Sequence, residues 1–177
     1  EIIKNNNNIK VEWKPILVGG VFNSVNQDIY ETRKNPNPLK FKYSRKDLRD
    51  WSKFYNITIN WPDLFPLNAV NVMRGVIVAD KYNKLVSFSY PCFEMYWSKG
   101  IDISDLNILS EIAVTNGIDK DIFINNIQTN FIKDQLRKNT DNLMDRGGFG
   151  SPTIFINDND MYFGNDRLQL VKEKILG

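Results

Sequence analysis

The stretch Gly150–Leu168, GSPTIFINDNDMYFGNDRL, decides how the chain is read. A proline stands directly before Thr153–Ile156 (TIFI), a short β-branched and apolar run. Asn157–Asp160 has the composition of a turn, and Met161–Phe163 (MYF) reads as the returning strand of a hairpin. Gly164-Asn165-Asp166 then opens an amphipathic helix with Leu168, Val171 and Ile175 on one face.

Two positions in this stretch carry chemistry. Pro152 removes a donor at the start of the strand, and an X-Pro bond in so tight a setting is a candidate for the cis isomer. A cis proline there would leave the backbone N–H and C=O of Ser151 free to pair with an extended, peptide-like ligand, as an added strand does; an ordinary proline at a strand edge is the other reading. At Gly164-Asn165-Asp166-Arg167 a glycine turn feeds a helix N-terminus, where unpaired N–H groups attract an anion and Asp166 can take an ammonium. Together they suit a zwitterion; alternatively, Asn165 or Asp166 only caps the helix.

Upstream, Val11–Val18 (VEWKPILV) has the residues of a buried strand, closed by Gly19-Gly20, and Phe22–Pro38 reads as a long polar loop ending in Asn35-Pro36-Asn37-Pro38. From there the pattern is helical. Ser44–Tyr55 begins with a capping residue and carries Leu48, Trp51 and Tyr55 on one face, and Leu67–Asp80 follows. Leu85–Trp97 must be kinked or split by Pro91. Ser104 opens a helix closed by Asn116-Gly117, and Asp119 caps another running to about Asn139. Gly147–Gly150 reads as a flexible joint. Strand, helical excursion, hairpin and helix describe an α/β sheet domain interrupted by a helical insertion.

Composition restricts the chemistry. The 177 residues include no histidine and one cysteine, Cys92, so no Ser-His-Asp or Cys-His arrangement, internal disulfide, CxxC pair or His-supported metal site can be built from them. A reactive group, if the protein is an enzyme, comes from a cofactor, a carboxylate, a lysine or residues outside this sequence. Cys92 itself, between Pro91 and Phe93, reads as a small buried hydrophobe. A net charge of +2 without a basic stripe argues against nucleic acid, and no apolar run is long enough to span a membrane. These features set the expectation of a cytoplasmic or organelle-matrix protein without a metal. Lys40 can bind a carboxylate or simply face solvent, and the aromatic set Trp51, Phe88, Tyr96 and Trp97 suits a core or a subunit interface.

Taken together, the segments resemble the 2-hydroxychromene-2-carboxylate isomerases and kappa-class glutathione transferases. The resemblance rests on Gly150–Leu168, on VEWKPILVGGVF at 11–22, and on the P-x-K-x-x-Y-x-x-x-D-L pattern from Pro38 to Leu48. FPLNAVNVMR at 65–74 and YWSKGIDISD at 96–105 complete it. It implies a thioredoxin-like domain, residues 1–43 and 140–177, with an inserted all-helical domain over 44–139, and usually a homodimer. It also implies glutathione as cofactor: Ser151 and Pro152 at its cysteinyl part, Asn165 and Asp166 at its γ-glutamyl end, Lys40 on a carboxylate, and Asn26 in the loop.

Asn68 and Trp97 would shape the pocket for an aromatic or conjugated second substrate. The family's catalytic serine corresponds to a position upstream of Glu1, so none of the residues here is its counterpart, and the chain's start reads as truncated. The implied reaction is a glutathione-dependent isomerisation or transfer. The rival readings are a DsbA-type disulfide oxidoreductase, whose CxxC would occupy that same upstream position, and a non-catalytic glutathione-binding homologue. Against the disulfide oxidoreductase stands Gly164-Asn165-Asp166-Arg167-Leu168, which suits the glutamyl end of glutathione and has no evident purpose in a dithiol enzyme.

Overall fold

The structure, a computed structural model, describes residues 9–177; the sequence of Glu1–Lys4 reads as the last turns of a helix running into a polar turn at Asn5–Asn8, and that reading lies outside the described residues. The chain forms two compact units. One joins the residues up to Gln27 with Arg137–Gly177, and the other is the continuous segment Asp28–Leu136. The boundaries expected from the sequence stood at 43/44 and 139/140.

In the first unit, β1 (Thr153–Ile156) and β2 (Asp160–Phe163) pair antiparallel, with Thr153 opposite Phe163 and Ile156 opposite Asp160. The turn between them is Asn157–Asn159, and Asn157 takes a positive φ of 54°, which asparagine tolerates better than most side chains. Arg146 clamps this turn. Its guanidinium donates to the carbonyls of Asn157 and Asp158 and lies 3.7 Å from the centre of the Phe155 ring. The amphipathic helix α9 (Leu168–Leu176) buries Val171 and is preceded by a 3-10 turn over Asn165–Arg167.

The strand expected over 11–18 is not formed. Residues 9–17 have no regular secondary structure and join no ladder, and the Gly pair lies inside α1 (Val18–Val25), whose Val21 is fully buried. A strand is defined by its partner as much as by its residues. Here Leu17 N–H donates to the Thr140 hydroxyl (3.0 Å), and the Pro15 carbonyl accepts from the Asn139 carboxamide (3.0 Å), so side chains take up bonds that a ladder would have made. Nor is Gly147–Gly150 a loose joint. Gly147, at φ 86°, and Gly148 donate their N–H groups back to Met144 and Leu143 in a Schellman closure of α8 (Asn130–Asp145).

The second unit is helical. The expected loop over 22–38 holds the last part of α1 and all of α2 (Asp28–Lys34), and α3 runs from Pro38 to Phe54. That helix starts two turns before Ser44, because Pro38 occupies its first position, where a missing N–H costs nothing, and Asn37 caps it by accepting from Leu39 and Lys40 N–H. The core is built by α4 (Val70–Asp80), α5 (Leu85–Phe93), α6 (Leu106–Thr115) and α7 (Lys120–Ile127). Phe88, Leu109, Phe123 and Ile127 are fully buried in it.

Pro91 lies within α5, and the chain then widens into a π-helical turn over Glu94–Ser98, a common way of absorbing an irregular backbone. The cap of α6 is Asp105 rather than Ser104, whose hydroxyl bonds Asp102 instead. The helix capped by Asp119 ends at Ile127, and α8 begins anew at Asn130. Asn116 and Gly117 (φ 78°) close α6 as the sequence predicts. None of the described helices is long and apolar enough to cross a membrane.

Candidate functional site

The hairpin brings the two chemically interesting segments to one corner. The β1–β2 ladder continues one bond past its last pair, because Gly164 N–H donates to the Pro152 carbonyl (3.0 Å). Ser151-Pro152 and Gly164-Asn165-Asp166 therefore leave the sheet side by side. The Ser151–Pro152 bond is cis, as the sequence suggested. Ser151 and Pro152 are exposed, and among the described residues no hydrogen bond falls on the Ser151 amide or carbonyl. An unpaired donor and acceptor beside an exposed hairpin end is what an extended peptide backbone can pair with.

Gly164 makes the adjoining turn possible. Its φ of 100° with ψ 157° belongs to a region essentially reserved for glycine. A Cβ at this position would stand 2.6 Å from Asp166 Oδ1, so the carboxylate folds back over the glycine. The other oxygen of Asp166 accepts from Arg167 (3.0 Å), and both side chains are about half exposed. Asn165 and Asp166 thus begin a 3-10 turn rather than the helix itself, and α9 follows from Leu168. The carboxylate remains open to solvent and to a cation from outside.

Asn26 reaches this corner from α1, where it forms the C-cap. Its carboxamide donates to the Phe149 carbonyl (3.2 Å), two residues before Ser151. The far side of the loop is packed by rings, with Phe149 and Phe163 4.5 Å apart and a Cβ on Gly150 limited to 2.9 Å from Phe163. Neither the Asn26–Phe149 bond nor this close approach has a local signature in the sequence.

The remaining candidates lie in the helical unit. Lys40 is on the first turn of α3 rather than in a loop, and its exposed ammonium has no partner among the described residues. Trp97 belongs to an aromatic wall with Tyr96, Trp61 and Phe65, and the Tyr96 hydroxyl donates to the Leu64 carbonyl (2.8 Å). The Asn68 carboxamide oxygen accepts from Val70 N–H at the start of α4. The aromatic set read as one stripe separates into three places: Trp51 stacks on Tyr55, Phe88 packs on Phe123 in the core, and Tyr96 and Trp97 share the wall. Cys92 is buried, its thiol donates to the Phe88 carbonyl, and burial pushes its pKa up to about 12, so no thiolate is available near neutral pH.

The profile of the DSBA-like thioredoxin domain matches residues 1–176. The chain belongs to the DSBA-like thioredoxin domain family.

Among individual relatives, this DSBA-like chain is 24% identical over 172 residues to a 2-hydroxychromene-2-carboxylate isomerase of Sphingobium xenophagum, covering 94% of this chain and 83% of that protein. It is 26% identical over 136 residues to the enzyme of the same name from Pseudomonas putida, covering 76% of this chain and 64% of that protein. The glutathione S-transferase kappa 1 of Rattus norvegicus is 28% identical over 181 residues, with 93% and 76% covered. A solved structure of a 2-hydroxychromene-2-carboxylate isomerase superposes with a TM-score of 0.79 at 20% identity, covering 98% of this chain and 83% of that one, which establishes the shared fold.

Proposed function

We propose that this DSBA-like protein is a glutathione-dependent isomerase of the 2-hydroxychromene-2-carboxylate isomerase type, acting on a conjugated, ring-bearing electrophile. The observation that carries the reading is the hairpin corner, where the bond from Gly164 N–H to the Pro152 carbonyl sets the segments of the unpaired Ser151 backbone and the half-exposed Asp166 on adjoining strand ends. That pairing suits a γ-glutamyl peptide, and the names of the relatives supply the reaction class. The residues fit the tripeptide chemically. Ser151 offers a donor and an acceptor to the cysteinyl backbone, Asp166 faces the glutamyl ammonium, and Asn165 lies at the open start of the 3-10 turn, where a carboxylate is welcome.

Glutathione supplies the thiol that can add to a conjugated double bond and leave again, which explains how a chain with no histidine and a buried, protonated Cys92 can belong to an enzyme. The chain's own contribution is to bind and orient. Pro152 fixes the entry to β1, Asn26 holds the Phe149 carbonyl, and Gly164 lets the backbone turn so that Asp166 reaches the corner. Lys40, Asn68, Trp97 and a homodimeric assembly belong to the reading through the family resemblance. The kappa-class relative keeps a transferase, in which the thiol stays attached to its electrophile, as the second reading.

Calorimetric titration with glutathione tests the binding step. Saturable heat is expected from the full-length protein, and Asp166→Ala should weaken it by about tenfold or more, the worth of one charge-assisted hydrogen bond. Lys40→Ala assigns or removes that lysine. Absence of heat from full-length protein overturns the glutathione reading. Turnover of a hydroxychromene carboxylate against that of an aryl halide then separates isomerase from transferase.

A further inference from the structure

A surface cleft of about 430 Å³ opens within the helical unit between one face of α3 and the extended segment at 59–61. From α3 it takes Arg45, Leu48, Arg49 and Ser52, spaced i, i+3, i+4 and i+7, and from the facing segment Ile59 and Trp61. The two walls are tied together by the Ser52 hydroxyl, which donates to the Ile57 carbonyl.

The charge in this cleft is not balanced from within. Among the described residues neither Arg45 nor Arg49 has an ion pair or a hydrogen bond. Of the acidic residues of α3, Asp50 is bonded to Lys46 and feels Arg49 only as a more weakly acting charge, and Asp47 lies on the opposite side of the helix from 45 and 49. Two like charges at i and i+4 disfavour a helix, so the arrangement gains from an anion between them. The Arg45 guanidinium lies 4.5 Å from the centre of the Trp61 ring system and 5.3 Å from that of Phe41. Contact with the rings engages the charge of the guanidinium and leaves its N–H donors without a hydrogen bond among the described residues, as recognition of a carboxylate requires.

We propose that this cleft binds an aliphatic carboxylate of medium chain length. The head group lies between the Arg45 and Arg49 guanidiniums, and the chain lies along Leu48 and Ile59. An aliphatic body follows from the lining: Leu48 and Ile59 are its aliphatic residues, and the Trp61 ring is already engaged by the Arg45 guanidinium at 4.5 Å and by Phe65 at 4.6 Å. The proposal does not rest on the glutathione reading.

Titration of the full-length protein with octanoate, followed by calorimetry, tests it. One saturable site is expected, with octanamide, which has the same chain and no charge, binding at least tenfold more weakly. The double variant Arg45→Gln/Arg49→Gln should weaken octanoate at least tenfold, while Lys46→Gln/Asp50→Asn, which removes a cation and its paired anion together from the same helix, leaves it unchanged. Both arginines are exposed, and far-UV circular dichroism checks that the variants fold. Equal affinity for octanoate and octanamide, unchanged octanoate affinity in the double variant, or no saturable site in the unaltered protein would each overturn the proposal.

Discussion

Replacing Gly164 with alanine separates what this glycine does for the fold from what it does for the corner. At φ 100° and ψ 157° the backbone is in a region that a residue with a Cβ occupies at a cost of about 1–3 kcal/mol. The added methyl would also stand 2.6 Å from Asp166 Oδ1. That second conflict is resolved cheaply, because the Asp166 side chain is about half exposed and can swing away. Its consequence falls on binding: the carboxylate leaves its place over the turn, and the charge-assisted bond proposed for the ligand ammonium, worth about 1.5–3 kcal/mol, goes with it.

For a chain of this length each kcal/mol lowers the melting temperature by about 2–4 °C, so Gly164→Ala should melt roughly 2–12 °C lower. It should also bind glutathione tenfold or more weakly. Asp166→Ala, by contrast, should match the affinity loss with little change in melting. Differential scanning calorimetry and isothermal titration on the same three proteins measure both effects. If Gly164→Ala melts with the unaltered protein, the backbone argument is wrong; if it binds glutathione normally while melting lower, the coupling between the turn and Asp166 is wrong.

Three further outcomes are expected. Gly75→Ala raises helix propensity by about 1 kcal/mol, yet it should destabilise the protein, because its Cβ would meet Phe123 at 2.9 Å and Phe88 at 3.2 Å, both fully buried, and overpacking costs about 1–3 kcal/mol; in a Phe123→Leu background the same change should become neutral or stabilising in urea unfolding. Asn37→Ala removes the acceptor for two N–H groups of α3 and should cost about 1 kcal/mol in the same assay. The Cys92 thiol should resist an aromatic disulfide reagent at pH 8 in the native protein and react once in guanidinium. An unfolded chain loses this proton near pH 9 while the folded one keeps it to about 12, so stability is unaffected below pH 8 and falls as pH rises from about 9 toward 12.

The hairpin, the capped helices of the middle region and the corner at Ser151 and Asp166 are legible in the sequence because each is set by neighbours a few residues away. Thr153–Ile156 and Met161–Phe163 sit either side of a turn, and the antiparallel register then places Pro152 opposite Gly164 without further information. Elsewhere a local cue admits two outcomes. Val11–Val18 has the residues of a strand, but Pro15 and Leu17 find side chains of α8 more than 120 positions away, which no local pattern announces. Asn35-Pro36-Asn37-Pro38 reads as a barrier to helix, although the second proline is well suited to be the first residue of one, and Lys40 moves from loop to helix accordingly. The resemblance puts Asn26 in a loop, whereas it is the C-cap of α1 and its bond to Phe149 spans 123 positions.

The Schellman closure at Gly147 and Gly148 has a further consequence. A Cβ on Gly148 would come within 2.6 Å of the Leu143 side chain and 2.9 Å of its carbonyl, so α8 ends with no slack, and only Phe149 and Gly150 separate that stop from Ser151. The corner is therefore mounted on a stiff lever whose pivot is a helix end. An insertion at the 157–159 turn would lengthen only the free tip of the hairpin, whereas one extra residue between 147 and 150 would displace the mounting itself. Natural length variation should accumulate at the first place and be purged from the second.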